Sequence, residues 1–176
     1  MDALSAIRNR TSYRGTYSNT AVTREDLQSI LEAGLAAPSG CNKQTTKLIA
    51  VDDPEILGKL KNLAKLPWAD SAPAAIAVLT ERVFAYRDKC FSIQDYSAAI
   101  ENMLLCIVAL GYQSCWVEGH ITDADEIGKQ MAAVLGVPEK YELVCYLPVG
   151  KAAEDLRHVK KRPFEERAWF NGYGHS

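Results

Sequence analysis

A three-layer domain of α+β or α/β class is what this sequence predicts, and three observations predict it. Segments with strand character alternate with segments of helical periodicity. One helix, from Tyr96 to Leu110, is apolar nearly all round. The tail ends in an aromatic tip, "AWF", that needs somewhere to bury itself.

The elements follow in chain order. Residues Ala3 to Ile7 read as a short helix. In "TREDLQSILEAGLAAP", Thr23 precedes acidic residues and Asp26 takes the capping-box position, while Leu27, Ile30, Leu31 and Leu35 fall on one face. Pro38 ends that helix. "KLIAVDD" (47–53) is a strand by length and β-branching, and a helix from Pro54 to Lys65 follows, with proline in its favoured first turn. "PAAIAVLT" (73–80) reads as a buried strand. Glu81 to Gln94 is mixed, with Phe84, Tyr86 and Phe91 among charges. In the apolar helix, Ala99, Ile100, Met103, Leu104, Ile107 and Val108 leave little polar face, and Gly111 caps its end. "SCWVEGH" carries a short strand into a turn. "TDADEIGKQMAAVLG" is a helix capped by Thr122 or Asp123, and "YELVCYLPVG" (141–150) is a last core strand.

The 176 residues suit one domain, or a subunit that completes its core by dimerising, and 48% of them are apolar. A formal charge of −2 and a pI near 5.9 argue against bulk attraction to nucleic acid or anionic membrane. No run is long and apolar enough to span a bilayer, and "MDALSAIRNR" lacks the order of a signal peptide. Cysteines 41, 90, 106, 115 and 145 show neither metal-ligand spacing nor a disulfide framework, and Cys106 and Cys145 read as buried thiols. A cytoplasmic protein without a metal site is expected.

Four segments carry candidate chemistry. In "RTSYR", Arg10, Ser12 and Arg14 share one side if the chain is extended, a set suited to a phosphate; the alternative is a solvated basic loop. "AAPSGCNKQ" (36–44) is a helix end with small and amide side chains, hence a tight turn. "CWVEGH" (115–120) brings backbone N–H groups to a strand edge, where Gly119 lets a flat ligand approach. "KKRP" (160–163) is a second basic cluster or a solvated charge run.

Taken together, "IRNRTSYR", "EAGLAAPSGCNKQ", "ALGYQSCWVEG" and "KKRPFEE", in this order and spacing, resemble the nitroreductase family of FMN-dependent oxidoreductases. The resemblance covers nearly the whole chain. It implies a single α+β domain over residues 1–176, a three-layer α/β/α sandwich with a mixed central sheet, and a C-terminal tail embracing a partner subunit. It implies that Arg10, Thr11 and Ser12 hold the FMN phosphate and ribityl chain, that Arg14 (with Lys65 as a second candidate) faces the pyrimidine edge, and that Lys161 and Arg162 close on the phosphate. Arg8 has no counterpart and reads as a surface charge. Glu118 and Gly119 would offer a backbone N–H to flavin N5. Pro38, Ser39 and Asn42, with Gln44 at the ring edge, would come from the other subunit of a homodimer. No side chain need act as nucleophile or acid. The implied activity passes hydride from NAD(P)H through N5 to a nitroaromatic, quinone or related conjugated acceptor by a ping-pong mechanism. The alternatives are a specialised flavin enzyme, such as a dehydrogenase or dehalogenase, and a flavin store or redox sensor without NAD(P)H turnover.

Two departures from the family pattern stand out. The turn continues "Asn42-Lys43-Gln44-Thr45-Thr46" where many members have Pro-Trp, and Cys41 lies inside it. Many relatives also carry extra helices before the central helix, where this chain has only residues 81–94. Phe84, Tyr86 and Phe91 there would form either a lid or core satellites.

Overall fold

The strongest capping signals in the sequence set the helix boundaries of the computed structural model, which describes residues 1–175. Helix α1 spans Ala3–Asn9, with the Asp2 carboxylate accepting from the Ser5 N–H. Helix α2 spans Arg24–Leu35; the Thr23 hydroxyl accepts from the Asp26 N–H at 3.0 Å, with acidic residues in the first turn complementing the helix dipole. Strand β1 is Thr46–Val51. Helix α3, Pro54–Ala64, starts where Asp53 accepts from the Glu55 and Ile56 N–H groups, and it ends in a left-handed Lys65. Strand β2 is Ala74–Thr80, buried at every residue. A short hairpin follows, β3 (Phe84–Tyr86) against β4 (Lys89–Cys90). Helix α4 is Ser92–Ala109, α5 is Ile127–Val134, and β5 is Glu142–Val149.

The main sheet has the order β1-β2-β5. Its period of two sorts side chains cleanly to the two faces. Ala74, Ile76 and Val78 pack with Leu27 and Ile30 of α2 and with Ile100, Met103 and Ile107 of α4. Ala75, Ala77 and Leu79 pack with Leu57 and Leu60 of α3 and with Ile127 and Met131 of α5. A bulge lets Val78 pair with Cys145 while Leu79 pairs with Leu143. The three layers are therefore α2/α4, sheet and α3/α5, an α+β fold. Both ladders of this sheet are antiparallel, so the mixed character expected of it would require a parallel strand from elsewhere.

Three local expectations are corrected. The run 112–118 forms no ladder; it touches β5 through single antiparallel bridges, Gln113 to Gly150 and Val117 to Tyr146. Helix α5 begins at Ile127 behind a left-handed Glu126, not after Thr122 or Asp123. The reason is local: the Ile121 and Thr122 N–H groups and the Thr122 hydroxyl all donate to the Glu118 carbonyl, so Thr122 is committed to a turn. Cys106 is only half-buried, whereas Cys145 is fully enclosed.

Residues 153–167 are exposed throughout. The tip folds on itself, Phe164 beside Phe170 and Trp169 against Tyr173, yet Phe164, Phe170 and Tyr173 stay open to solvent. Among the described residues no helix is long and apolar enough to cross a membrane.

Candidate functional site

From Arg10 to Arg14 the chain is extended and alternates, with Thr11 and Tyr13 buried, Ser12 and Arg14 exposed, and Arg10 half-buried. The Tyr13 N–H donates to the Ser114 carbonyl at 2.9 Å, tying this segment to the run 112–118. The Thr11 hydroxyl points inward and donates to the Arg157 carbonyl at 3.0 Å. That bond draws the tail across, and a cavity of about 290 Å³ forms between Arg8, Arg10, Ser12, His158 and Lys161. Arg8, expected to be a plain surface charge, lines this cavity; Arg162 lines neither it nor its neighbour. That neighbour, about 350 Å³, is bounded by Ser12, Arg14, Glu154 and Arg157. The only carboxylate paired with these cations among the described residues is Glu101 of α4, 3.7 Å from Arg10 Nε. Guanidinium, ammonium and hydroxyl donors around one cavity suit a phosphate dianion.

Behind the cradle lies Cys115, buried at 1% exposure. Burial pushes its thiol up, while the Arg14 guanidinium and then the Ser12 hydroxyl pull the other way. The Tyr17 and Tyr146 hydroxyls and Ser114 Oγ are buried with no hydrogen-bond partner among the described residues.

Three residues beyond Cys115 the run reaches Glu118. Its carboxylate is fully engaged: the Tyr96 hydroxyl donates to Oε1 at 2.6 Å and Trp116 Nε1 donates to Oε2 at 2.7 Å. Burial and this bond push the Tyr96 hydroxyl up, keeping it a donor. The backbone N–H groups of Glu118 and Gly119 have no acceptor among the described residues. The space where a Gly119 Cβ would stand has no neighbour within 4 Å. His120 Nε2 meets the Ala64 carbonyl at 2.7 Å, which brings the end of α3, and with it Lys65, alongside this loop. A groove of about 770 Å³ runs from Tyr96 and Glu118 along α5 to Leu143.

The turn from Pro38 to Gln44 stands apart from the cradle, and none of its residues lines either cavity there. Ser39 Oγ accepts from the Gln44 N–H at 2.9 Å, and the Gln44 side-chain amide donates to Asn42 Oδ1 at 3.4 Å. The turn is fastened to α4 through Asp95, which accepts from the Gly40 N–H and from the Thr45 hydroxyl, both at 2.7 Å. Cys41, Asn42 and Gln44 are exposed. The three aromatics of residues 84–91 separate: Phe84 and Tyr86 are exposed on the hairpin, while Phe91 packs on Gly40.

The structure thus gathers Arg10, Ser12, Arg14 and Lys161, sets Glu118 and Gly119 on a neighbouring run, and holds the turn elsewhere. The sequence reading missed Arg8, His158 and the anchors Tyr96, Trp116 and Asp95. For Asp95 there was a signal, an acidic residue entering an otherwise apolar helix.

The donors present fit FMN: a cationic cavity for its phosphate, and open backbone N–H groups beside an uncovered glycine for its ring. The nitroreductase family model matches residues 7–74 and 59–151. A protein of Archaeoglobus fulgidus, provisionally named NADH dehydrogenase/NAD(P)H nitroreductase, is 32% identical over 150 residues, which cover 85% of this chain and 84% of that one. An FMN reductase (NAD(P)H) of Bacillus subtilis is 39% identical over 152 residues, covering 81% of this chain and 59% of the relative. The structure of a nitroreductase with bound FMN from Bacteroides fragilis superposes with a TM-score of 0.74 at 29% identity, covering 93% of this chain and 95% of the other.

Proposed function

The chain belongs to the nitroreductase family, and on that premise we propose that it is a homodimeric, FMN-dependent NAD(P)H oxidoreductase, one flavin-binding unit over its whole length. When bound, FMN would supply the redox chemistry, two-electron transfer from NAD(P)H to a nitroaromatic, quinone or related conjugated acceptor in ping-pong order.

The protein's part is binding and electrostatics. Arg8, Arg10 and Lys161, with the Ser12 hydroxyl, hold the phosphate. Thr11 acts by holding the tail over it, and Arg162, next to Lys161 in sequence, adds positive charge to that tail segment. Arg14, on the adjoining cavity, sets a cation at the pyrimidine edge, where positive charge raises the reduction potential. The Glu118 and Gly119 N–H groups, which have no acceptor among the described residues, would donate to flavin N5. Tyr96 and Trp116 each donate to one oxygen of the Glu118 carboxylate and so fix the loop that carries these N–H groups. Pro38, Ser39, Asn42 and Gln44 complete the partner's site, a reading supported by their position outside both cavities of their own cradle. The free thiols suit a reducing cytoplasm.

The observation that carries this reading is the pairing of a cationic cavity with two unengaged N–H groups on the adjoining run. The test is anaerobic addition of NADH or NADPH to the purified protein with FMN bound. Fast bleaching of the flavin band is expected, with colour returning on addition of a quinone. Bleaching by dithionite alone would sink the reductase reading and favour a flavin store or sensor.

A further inference from the structure

Asp95 is a buried carboxylate in the first turn of α4, 4% exposed, and the cradle does not use it. It grips the 39–45 turn at both ends, through the Gly40 N–H and the Thr45 hydroxyl. The fit is close: a Cβ on Gly40 would stand 2.6 Å from Phe91 Cδ2 and 2.7 Å from Phe91 Cβ. Between the two grips the backbone is left-handed at three non-glycine residues, Cys41 (φ 51°), Asn42 (φ 53°) and Gln44 (φ 50°). Side chains enter that region reluctantly, and such a run persists only where its surroundings hold it. Its other side-chain bonds are local, from Gln44 to Ser39 and Asn42 and from Lys47 to the Gln44 carbonyl, and its backbone tie to the outside is the Glu81 N–H donating to the Thr45 carbonyl.

We propose that Asp95 is a positioning residue for the flavin site of the opposite protomer: it keeps its own turn in the shape that presents Ser39 and Asn42 across the interface. This rests on the reading that the turn completes the partner's site. Asp95 therefore acts in trans, whereas Arg10 acts in cis.

The test is FMN titration of apo-protein by flavin fluorescence, on homodimers and on mixed dimers assembled from two differently tagged chains. The Asp95→Ala homodimer should bind FMN roughly tenfold or more weakly. Asp95→Asn should recover most of that loss, since its carbonyl accepts from Gly40 and its amide donates to the Thr45 oxygen. A mixed dimer of one Arg10→Ala chain and one Asp95→Ala chain should keep one site of wild-type affinity, because both lesions fall on the same site. A dimer with both substitutions on one chain and none on the other should keep no such site. The reverse pattern, or an Asp95→Ala homodimer that binds like wild type, overturns the proposal. Should Asp95→Ala fail to fold, Thr45→Val removes one grip and must show the same trans pattern. An Arg10→Ala homodimer that retains its flavin counts against the cradle instead, and the Asp95→Ala and Asp95→Asn comparison still decides the role of Asp95.

Discussion

Arg10 sits between two duties, lining the cationic cavity and standing 3.7 Å from Glu101. Replacing it with alanine removes a charge-assisted hydrogen bond worth about 1.5–3 kcal/mol, roughly a tenfold to hundredfold loss of FMN affinity. Ser12→Ala should cost less. A titration that finds Arg10→Ala unchanged in Kd rejects this cluster as the cradle. The thiols allow an independent check. The Ser92 hydroxyl beside Cys90 pulls that thiol down, whereas burial pushes Cys115 and Cys145 up. Alkylation followed by mass spectrometry should label exposed Cys41 and half-buried Cys90 first and leave Cys115 and Cys145 intact until denaturant is added. A lowered thiol loses its proton earlier as pH rises, so Cys90 labelling should climb at lower pH than that of an ordinary cysteine. At this scale the Arg-x-Ser-x-Arg alternation was legible, because strand period alone decides which side chains share a face. The partners of Glu118 were not, because Tyr96 comes to it from a distant helix turn.

Helix α4 holds site parts at its N-terminal end. Phe91 precedes it, Asp95 grips the turn, and Tyr96 grips Glu118. The hairpin before it divides the lid question. Phe84 and Tyr86 project into solvent at 72% and 50% exposure, so alanine there should leave the melting temperature nearly unchanged and alter only the kinetics of a planar acceptor. Phe91 is half-buried against Gly40, so Phe91→Ala should lower the melting temperature and cost a substantial part of the ~3–5 kcal/mol of a core phenylalanine. Thermal melts of the three variants check this, and equal losses in all three would place the whole stretch in the core. Helix existence was legible where a cap or a first-turn proline preceded an apolar stripe, as at Thr23 and Pro54. The start of α5 was not, since Thr122 and Asp123 carry the residue types of a cap but serve a turn fixed by the Glu118 carbonyl.

As a free protomer the molecule leaves Leu156, Val159, Phe164, Phe170 and Tyr173 of its tail uncovered. In the proposed homodimer a second copy covers them, and each flavin site would then need both chains. Folding, dimerisation and flavin binding become linked equilibria. Truncation before Glu165 removes Trp169 and Phe170; sedimentation should show a weaker dimer, and FMN affinity should fall in step. A stable monomer that keeps its flavin would end this account. The core strands could be read from the sequence because a short unbroken apolar run fits a strand buried on both faces, and the helices because apolar residues recur every 3.6 positions. What the tail covers could not, because exposed apolar residues at a chain end carry no periodicity and name no partner.

Gly119 has one consequence for how such a protein tolerates change. No atom within 4 Å would meet an added methyl there, so the folded protein has no reason of its own to keep a glycine. Gly119→Ala should pass a screen for expression or solubility. What the methyl would obstruct is the ring laid over the loop. A culture carrying that change would yield as much protein as before, but colourless, so mutational tolerance measured by abundance would misjudge the position.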